Sequence, residues 1–521
     1  MRLQTVDWII IAAFLATSVA IGAWVSRRAG QDTTSFFLFN RRMPWWLLGI
    51  SMVATTFSTD TPNLVTEIVR TQGVAGNWVW WAFLLTGMVT AFLYARLWRR
   101  AGVLTDLEFY ELRYSGRAAV LVRGFRAVYL GVFFNAMVMA LVTLAAIKIS
   151  SVVLGISPLQ TVLIVGAATV VFTTLGGFLG VVITDLLLFA ASMVGAVATA
   201  FIAVNLPEVG GLAAMLEHPA VGERLSFFPD FSNWEVTLTV FVIPLTVQWW
   251  SVWYPGSEPG GGGYVAQRML AAKDEDNALG AVVFFQIAHY ALRPWPWILV
   301  ALASLIVFPD LESIRQAFPL VPDEVLRDDL AYPAMLTFLP AGLMGLVIAS
   351  LAAAYMSTMS SMLNWGSSYL VNDVYQRFLK PGASNRELVL AGRVATVMLM
   401  LFACTLALYL ESAMQAFNIL LTIGAGTGLL FLLRWFWWRI NAFSEIAAMA
   451  VSFLVALWFE FGASGSWASH EKLLIGIAIT TAAWLAATWL APQTDRATLA
   501  AFYRLIRPGG RGWQPVRERL A

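Results

Sequence analysis

The sequence predicts an all-α integral membrane protein with about 13 transmembrane helices. Of its 521 residues, 59% are hydrophobic and only 12% are charged, which is too apolar for an ordinary soluble protein. Apolar segments of about twenty residues or more recur from end to end, and each is long enough to cross a bilayer as a helix. Only helices and closed barrels satisfy their own backbone hydrogen bonds in lipid, and segments of this length favour helices.

The predicted spans follow from the lengths of the apolar segments and from the helix breakers between them. Lys and Arg concentrate in alternate loops. The positive-inside rule therefore places the N-terminus outside and the C-terminus in the cytoplasm of a multi-pass protein of the cell (inner) membrane, surrounded by the lipid bilayer. The spans cover residues 6–26, 44–70, 74–100, 116–150, 157–178, 180–206, 235–257, 275–308, 334–372, 388–411, 414–438, 442–462 and 471–491.

Two of the predicted spans are interrupted helices. The second span carries polar residues and a proline at 58–62, and the seventh runs into the proline- and glycine-rich segment 254–263, which cannot sustain a helix. Unwound backbone at membrane depth is tolerated only against protein or a water-filled cavity. Interrupted helices at matching positions in two halves indicate a transporter with inverted repeats, and these two spans lie five apart.

Composition argues against other classes of protein. The single Cys404 excludes a disulfide framework within the chain. Three histidines without cysteine or carboxylate clusters argue against a metal enzyme. His289 is the only midspan histidine and lacks an accompanying nucleophile, so an enzyme is not expected. Nothing in the charge pattern indicates a nucleic-acid partner, and the sequence does not indicate an oligomeric state.

A dense cluster of hydroxyl side chains lies within residues 351–364 of the ninth predicted span. At helical spacing, Ala354, Ser357, Thr358 and Ser361 share one face. A polar stripe inside a membrane should face protein or water rather than lipid. Hydroxyl oxygens suit a hard cation such as Na⁺, although Ser and Thr also serve as packing residues between membrane helices.

Several short motifs are spread over nearly the whole chain. The motifs are SMVATTFS (51–58), the loop residues Thr105, Glu108, Phe109, Glu111, Arg113 and Tyr114, GGFLGVVITD (176–185), YVAQRMLAAK (264–273), LPAGLMGL (339–346), the hydroxyl-bearing segment 351–364, and Asp373 to Tyr375. In order and spacing these motifs resemble those of the sodium/solute symporter family, which includes sodium-coupled sugar and proline carriers.

The resemblance implies a LeuT-like fold: an inverted repeat of five plus five helices, with one extra helix before it and two after. It also implies Na⁺ as the coupling ion. The expected parts of the chain are an extra N-terminal helix and loop (1–43), the first inverted repeat (44–206), the second inverted repeat with external loops (207–440), two C-terminal helices (441–491) and a basic cytoplasmic tail (492–521).

Carried onto matching positions, the resemblance implies a sodium site between the first interrupted helix and the hydroxyl-bearing helix. Its ligands would be the backbone carbonyls of Ala54, Phe57 and Ala354 and the hydroxyls of Ser357 and Thr358. Unwinding a helix frees carbonyls for such a role, which agrees with this assignment.

Some members of the family hold a second sodium ion, and four residues resemble its ligands. Asp185 is the carboxylate among them, and a carboxylate at membrane depth is a functional candidate by default. A capping role near the cytoplasmic end of its span is the alternative. The four residues are Asp185, Ser357, Ser360 and Ser361.

The solute is expected near the bilayer midplane, between the two interruptions. Tryptophans beside hydrogen-bonding groups suit a ring-bearing polar solute. Because Trp80 and Tyr290 depart from the residues typical of sugar carriers, the family's sugar-binding set does not transfer. The candidate solute-binding residues are Asp60, Thr61, Trp80, Trp250, Trp253, Glu258, His289, Tyr290 and Arg293.

Two basic residues within predicted spans are considered separately. Arg293 lies near the middle of its span, where we expect it to pair with Glu258 or Asp60 or to meet an anionic group of the solute. Lys148 lies near an external helix end, and we expect its ammonium group to snorkel towards water.

The sequence therefore predicts a sodium-coupled secondary symporter that imports a small polar organic solute by alternating access. A sugar or sugar-like compound is the first expectation for this small-molecule partner. The alternatives are a sodium- or proton-coupled carrier of an amino acid or carboxylate, with Asp185 or Asp60 as the proton site, and a membrane sensor of the same fold that does not transport.

Overall fold

A computed structural model describes residues 3–26, 41–103, 106–175, 178–251, 258–424, 426–462 and 467–520. Within these ranges the chain is helical and contains no β-strand, apart from an isolated bridge between Met43 and Ala272. The predicted all-α fold class is confirmed.

The main helices lie at the places that the apolar segments indicate. In chain order they are α1 (Thr5–Ser26), α2 (Trp45–Thr55), α3 (Asp60–Gln72), α4 (Val74–Ala101), α5 (Gly116–Val153), α6 (Pro158–Leu175), α7 (Phe178–Val204), α8 (Trp234–Gln248), α9 (Gly263–Ala271), α10 (Glu275–Val307), α11 (Leu343–Leu379), α12 (Asn385–Ala407), α13 (Ala413–Gly424), α14 (Thr427–Leu433), α15 (Ala442–Leu457), α16 (Ser469–Leu490) and α17 (Arg496–Ile506).

Six stretches of helix in the described residues are long and apolar enough to cross a membrane: α4, α5, α10, α11, α16 and most of α12, from Arg386 to Ala407. The other apolar helices are shorter, and several are the halves of interrupted spans. The total of about 13 crossings stays a prediction.

The first interruption separates α2 from α3 at residues 56–59. Pro62 lies in the first turn of α3, where its missing N–H costs no hydrogen bond, and Asp60 places a carboxylate at the positive end of the helix dipole. The helical ladder therefore restarts at this point instead of continuing from α2. At the end of α2, the Phe57 N–H donates to the Ala54 carbonyl at 3.1 Å.

The second interruption lies between α8 and α9, and residues 258–262 of it are described. Gly260 and Gly261 have φ angles of 84° and 85°, a conformation that side chains disfavour. A Cβ atom on Gly261 would also approach the Met269 methyl group to 2.6 Å. These glycines therefore let the unwound backbone lie directly against its neighbours.

A third interruption is not predicted by the sequence. The eleventh predicted span (414–438) is two helices, because α13 ends at Gly424 and α14 begins after Gly426, whose φ is 75°. Gly426 lies against Thr480 of α16, where a Cβ atom would come within 2.7 Å of the threonine. The close approach of these two elements requires glycine at this position.

The packing of the helices brings the predicted functional elements together. The hydroxyl-bearing α11 packs against α1, α2, α5 and α7, and α2 also packs against α7 and α10. The last two apolar helices, α15 and α16, pack mainly against each other. The first interruption is thus surrounded by other helices.

Candidate sodium and solute sites

The first interruption and α11 form the candidate sodium site. All five predicted ligand residues are buried: Ala54, Phe57, Ala354, Ser357 and Thr358. The Thr358 hydroxyl is buried without a hydrogen-bond partner among the described residues. Leaving such a group unsatisfied costs roughly 1–3 kcal/mol, and a cation beside it would remove that cost. The residues present therefore fit a sodium ion.

The second predicted sodium site is only partly described. The side chain of Asp185 lies outside the described part of the structure, although the backbone of its helix, α7, packs against α11 and α2. On α11, Ser360 is buried and Ser361 is half-buried. This second site stays a prediction.

A cavity of about 600 Å³ lies beside the first interruption, and it is the candidate solute site. Residues from α3, α4, α5, α10 and α13 line it, so it sits among the helices that the two halves of the chain contribute. Tyr290 stacks on the Trp80 ring, with centroids 5.6 Å apart and planes inclined by 23°. The lining includes five predicted solute-binding residues, Asp60, Thr61, Trp80, His289 and Arg293.

A π turn in α10 sets the direction of the side chains that face this cavity. The turn covers Ala288–Leu292, and the Arg293 N–H donates to the Ala288 carbonyl at 3.0 Å, one residue further back than in an α-helix. Pro294 follows directly and cannot donate a backbone hydrogen bond, which favours such a local rearrangement. Single π turns recur at functional sites of helices.

Arg293 ties α10 to the first interruption. Its guanidinium donates to the Thr56 carbonyl at 2.5 Å and to His289 Nε2 at 3.1 Å. Because a guanidinium can only donate, His289 accepts at Nε2 and carries its proton on Nδ1, which donates to the Thr56 hydroxyl at 3.0 Å. The Thr56 hydroxyl donates in turn to the Val53 carbonyl at 2.9 Å. The hydrogen-bond network thus indicates a neutral His289.

Glu258 is not a partner of Arg293, and that expectation is wrong. Its carboxylate contacts the Arg126 guanidinium and lies 3.7 Å from that of Arg434, and all three side chains are buried. Arg434 also lies 3.4 Å from Glu445. The other expected partner of Arg293, Asp60, lines the same cavity as its guanidinium.

Trp250, a predicted solute-binding residue of the second interruption, does not line the central cavity. The Trp250 carbonyl approaches Gly428 of α14 so closely that a Cβ atom there would overlap it. Trp253 lies outside the described part of the structure.

Lys148 does not snorkel, contrary to the expectation. Its side chain is fully buried, contacts the Asp329 carboxylate and donates to the Glu411 carbonyl at 2.7 Å. Asp329 also accepts a hydrogen bond of 3.1 Å from the Ala413 N–H at the start of α13. A buried charge persists because it is paired, and this pair joins the end of α5 to α13.

Sequence reasoning missed the residue that separates two cavities. A second cavity of about 710 Å³ lies between α3, α4, α8, α13 and the start of α16, and its lining includes Gln72, Gln248, Asn418 and His470. Phe417 lines both this cavity and the central one. Its position within an apolar helix carries no local signal of such a role.

The interrupted helices, the buried hydroxyl and the enclosed cavity define a sodium-coupled secondary transporter. The sequence model described as the sodium:solute symporter family matches residues 36–452. The chain belongs to this family, whose members are transporters. The predicted symport function and Na⁺ as its coupling ion are thereby confirmed.

Named relatives extend this likeness along the chain. A sodium/glucose cotransporter of Vibrio parahaemolyticus is 25% identical over 476 residues, which cover 88% of this chain and 86% of the relative. A sodium/mannose cotransporter of Bos taurus is 26% identical over 427 residues, covering 76% of this chain and 68% of the relative. The outward-open structure of a Na⁺-coupled sialic acid symporter has a TM-score of 0.72 at 19% identity, covering 94% of this chain and 99% of the other, and it supports the fold.

Proposed function

We propose that this symporter carries a neutral sugar or sugar-like compound into the cell together with sodium. Relatives named as sodium/glucose and sodium/mannose cotransporters support this class of solute. The Trp80 ring, which stacks on Tyr290, supplies a flat apolar contact that suits a sugar ring. Asp60 and Thr61 supply polar groups beside it.

The charge balance of the cavity is the observation that carries the proposal. Arg293 already donates to a backbone carbonyl and to His289, and the Asp60 carboxylate lines the same cavity. The two opposite charges offset each other. The cavity therefore offers no excess positive charge to an anionic carboxylate, which favours a solute without net charge.

Sodium supplies the driving force through the first interruption. In this proposal Ala54, Phe57, Ala354, Ser357 and Thr358 hold the ion, which stabilises the outward-facing form and orders the adjacent solute cavity. Each Na⁺ that moves inward across about 100 mV contributes about 2.3 kcal/mol. A second ion at Asp185 and its neighbouring serines would add the same amount.

We also propose the membrane orientation and the repeat boundaries that the sequence predicts. The N-terminus faces outside and the C-terminus the cytoplasm of a cell membrane, as the distribution of Lys and Arg supports. The two inverted repeats cover 44–206 and 207–440. The first and second interruptions then occupy matching positions in the two halves.

The test is uptake into proteoliposomes with imposed gradients. Labelled glucose, galactose, mannose, sialic acid, proline and lactate are compared under an inward sodium gradient, an inward proton gradient and no gradient. We expect sodium-dependent accumulation of a neutral sugar, lost in Thr358→Ala and retained in Thr358→Ser. Accumulation of only proline or lactate, or accumulation driven by protons alone, would contradict the proposal.

A further inference from the structure

A further cavity with an apolar lining lies away from the solute site. It has a volume of about 1150 Å³ and is enclosed by α1, the outer part of α5, α6 and the first half of α11. Its inner wall includes Thr59 of the first interruption and Tyr355 of α11. Neither the symport function nor the sodium site accounts for this space.

The lining of this cavity is almost entirely apolar. No charged side chain lines it, and most of the lining residues are aliphatic or aromatic. The Thr59 hydroxyl donates to the Val142 carbonyl at 3.0 Å, that of Tyr355 bonds to Thr143 at 3.1 Å, and that of Thr161 donates to the Ser157 carbonyl at 3.2 Å. These hydroxyls are thus already used by protein groups.

Such a space is unsuitable for water or for a polar solute. A water molecule in a buried cavity needs two to four polar partners, and apolar cavities stay dry or bind apolar molecules. A sugar would lose its hydrogen bonds to water without replacement. The occupant must therefore be apolar along the whole length of the cavity.

One side of the cavity is continuous with the lipid-facing surface. Ile164 on α6 is 60% exposed and Trp8 on α1 is 43% exposed, and both line the cavity. The opposite wall is deeply buried, because Leu351 and Tyr355 are only 4% and 2% exposed. The cavity thus runs from the lipid-facing surface of a multi-pass membrane protein to the back of α11.

We propose that this cavity binds one acyl chain of a membrane phospholipid. Lipid tails are the apolar molecules present at its mouth, and they are flexible enough to enter between α1 and α6. The chain would lie against Leu351, Ala352, Tyr355 and Met356 of α11. The presence of this lipid site does not depend on which solute is carried.

The test uses a phosphatidylcholine that carries a photoreactive diazirine in the middle of one acyl chain. The full-length protein in nanodiscs is irradiated, and labelled peptides are mapped by mass spectrometry. Lipid outside the protein can reach exposed residues such as Leu163, which is 63% exposed and does not line the cavity. Only a chain inside the cavity can reach Leu351 and Tyr355, so we expect label on both.

Adjacent alanines on α6 provide a matched pair of variants. Ala168 lines the cavity and Ala167 does not, and both are exposed. In Ala168→Phe the ring closes the mouth, and we expect label on Leu351 and Tyr355 to fall to the level of the unirradiated sample. In Ala167→Phe it should stay at the wild-type level. Label on exposed Leu163 should be unchanged in both variants, which shows that the photolabelling worked equally well in each.

Three outcomes would overturn the proposal. The first is label confined to exposed residues of the wild-type protein. The second is an equal loss of the inner label in Ala168→Phe and Ala167→Phe. The third is displacement of the inner label by a transported solute, which would make the cavity a solute route. Sodium-driven uptake by the same variants in proteoliposomes reports separately on the transport proposal and on whether each variant is folded.

Discussion

The two predicted interruptions differ in what surrounds them. The first faces hydroxyls, backbone carbonyls and the Arg293 guanidinium, and the buried Thr358 hydroxyl on α11 has no hydrogen-bond partner among the described residues. The second carries the Glu258 carboxylate, which lies between two buried arginines, Arg126 and Arg434. The first interruption thus has a hydroxyl oxygen beside it that no described residue satisfies, and the second is held in place by ion pairs.

This difference shows that an interrupted helix can serve either to bind an ion or to anchor neighbouring helices. A sodium site must bind and release its ion in every transport cycle, and neutral oxygens can hold a monovalent ion without retaining it. Buried charges of opposite sign do the reverse, because separating them leaves an uncompensated charge in a region of low dielectric. The second interruption is thereby fixed to α5 and α14.

The ion pairs of Glu258 with Arg126 and Arg434 anchor the second interruption. Further contacts add to this anchor. The Trp98 indole donates to the Gly260 carbonyl at 2.6 Å, and the Gly263 N–H donates to Asp106 at 2.8 Å. Tyr369 of α11 donates to the other oxygen of Asp106 at 2.9 Å. Helix α11, which carries the predicted sodium-binding hydroxyls, is therefore linked to the second interruption through the Asp106 carboxylate.

The largest expected effect comes from breaking this anchor. Glu258→Gln removes the negative charge between Arg126 and Arg434, and we expect the free energy of unfolding in detergent to fall by about 3–5 kcal/mol. Denaturation curves measure this free energy of unfolding. Asp276→Asn is the matched control, because it breaks an exposed pair with Arg96 of 2.8 Å, which is worth about 0–1 kcal/mol. Equal losses in the two variants would contradict the assignment of an anchor.

The next effect separates ion binding from stability. Thr358→Ala removes a hydroxyl that has no partner among the described residues, so the melting temperature should change little. Loss of a hydrogen-bonding group to an ion costs about 1.5–3 kcal/mol. The sodium concentration for half-maximal uptake should therefore rise roughly 10- to 150-fold. Thr358→Ser keeps the oxygen and should restore it, whereas a large drop in melting temperature would indicate a structural role.

A smaller effect is expected from the guanidinium that joins α10 to the first interruption. Arg293→Lys keeps the charge but cannot reproduce the fixed geometry of the bonds to the Thr56 carbonyl and His289. Loss of one hydrogen bond of about 1–1.5 kcal/mol should raise the KM for the solute roughly 5- to 10-fold. The half-maximal sodium concentration should change less, and an unchanged KM would place Arg293 outside the solute site.

The smallest effect concerns the turn that follows α9. Asp274 caps α10 by accepting a hydrogen bond of 2.8 Å from the Asn277 N–H, and this bond lowers the pKa of its carboxyl group. Asp274→Ala should cost about 1 kcal/mol. Because the folded-state pKa is depressed, the contribution is present at neutral pH and is lost as the pH falls through that pKa.

Thermal unfolding at pH 7 and at acidic pH measures this contribution. Wild type and Asp274→Ala should differ at neutral pH and converge on acidification. A difference that persists in acid would show that the cap does not depend on the charged carboxylate. Uptake should be unaffected at neutral pH, in contrast to the variants at the two interruptions.

The sequence by itself determined the features that depend on local chemistry. Runs of apolar residues specify helices of membrane length, and Pro62 and Gly260–Gly263 mark where two of them unwind. Helical periodicity alone placed Ser357 and Thr358 on one face of α11. The family motifs assigned the sodium ligands, and the described contacts of α11 with α2 are consistent with that assignment.

Only the tertiary structure decided which distant groups meet. Glu258 is paired with Arg126 and Arg434 instead of Arg293, and Lys148 is buried against Asp329 instead of snorkelling. Each of these pairs joins residues more than a hundred positions apart, so no local pattern encodes it. A buried charge needs an opposite charge that helix packing can bring to it, and that packing depends on the whole chain.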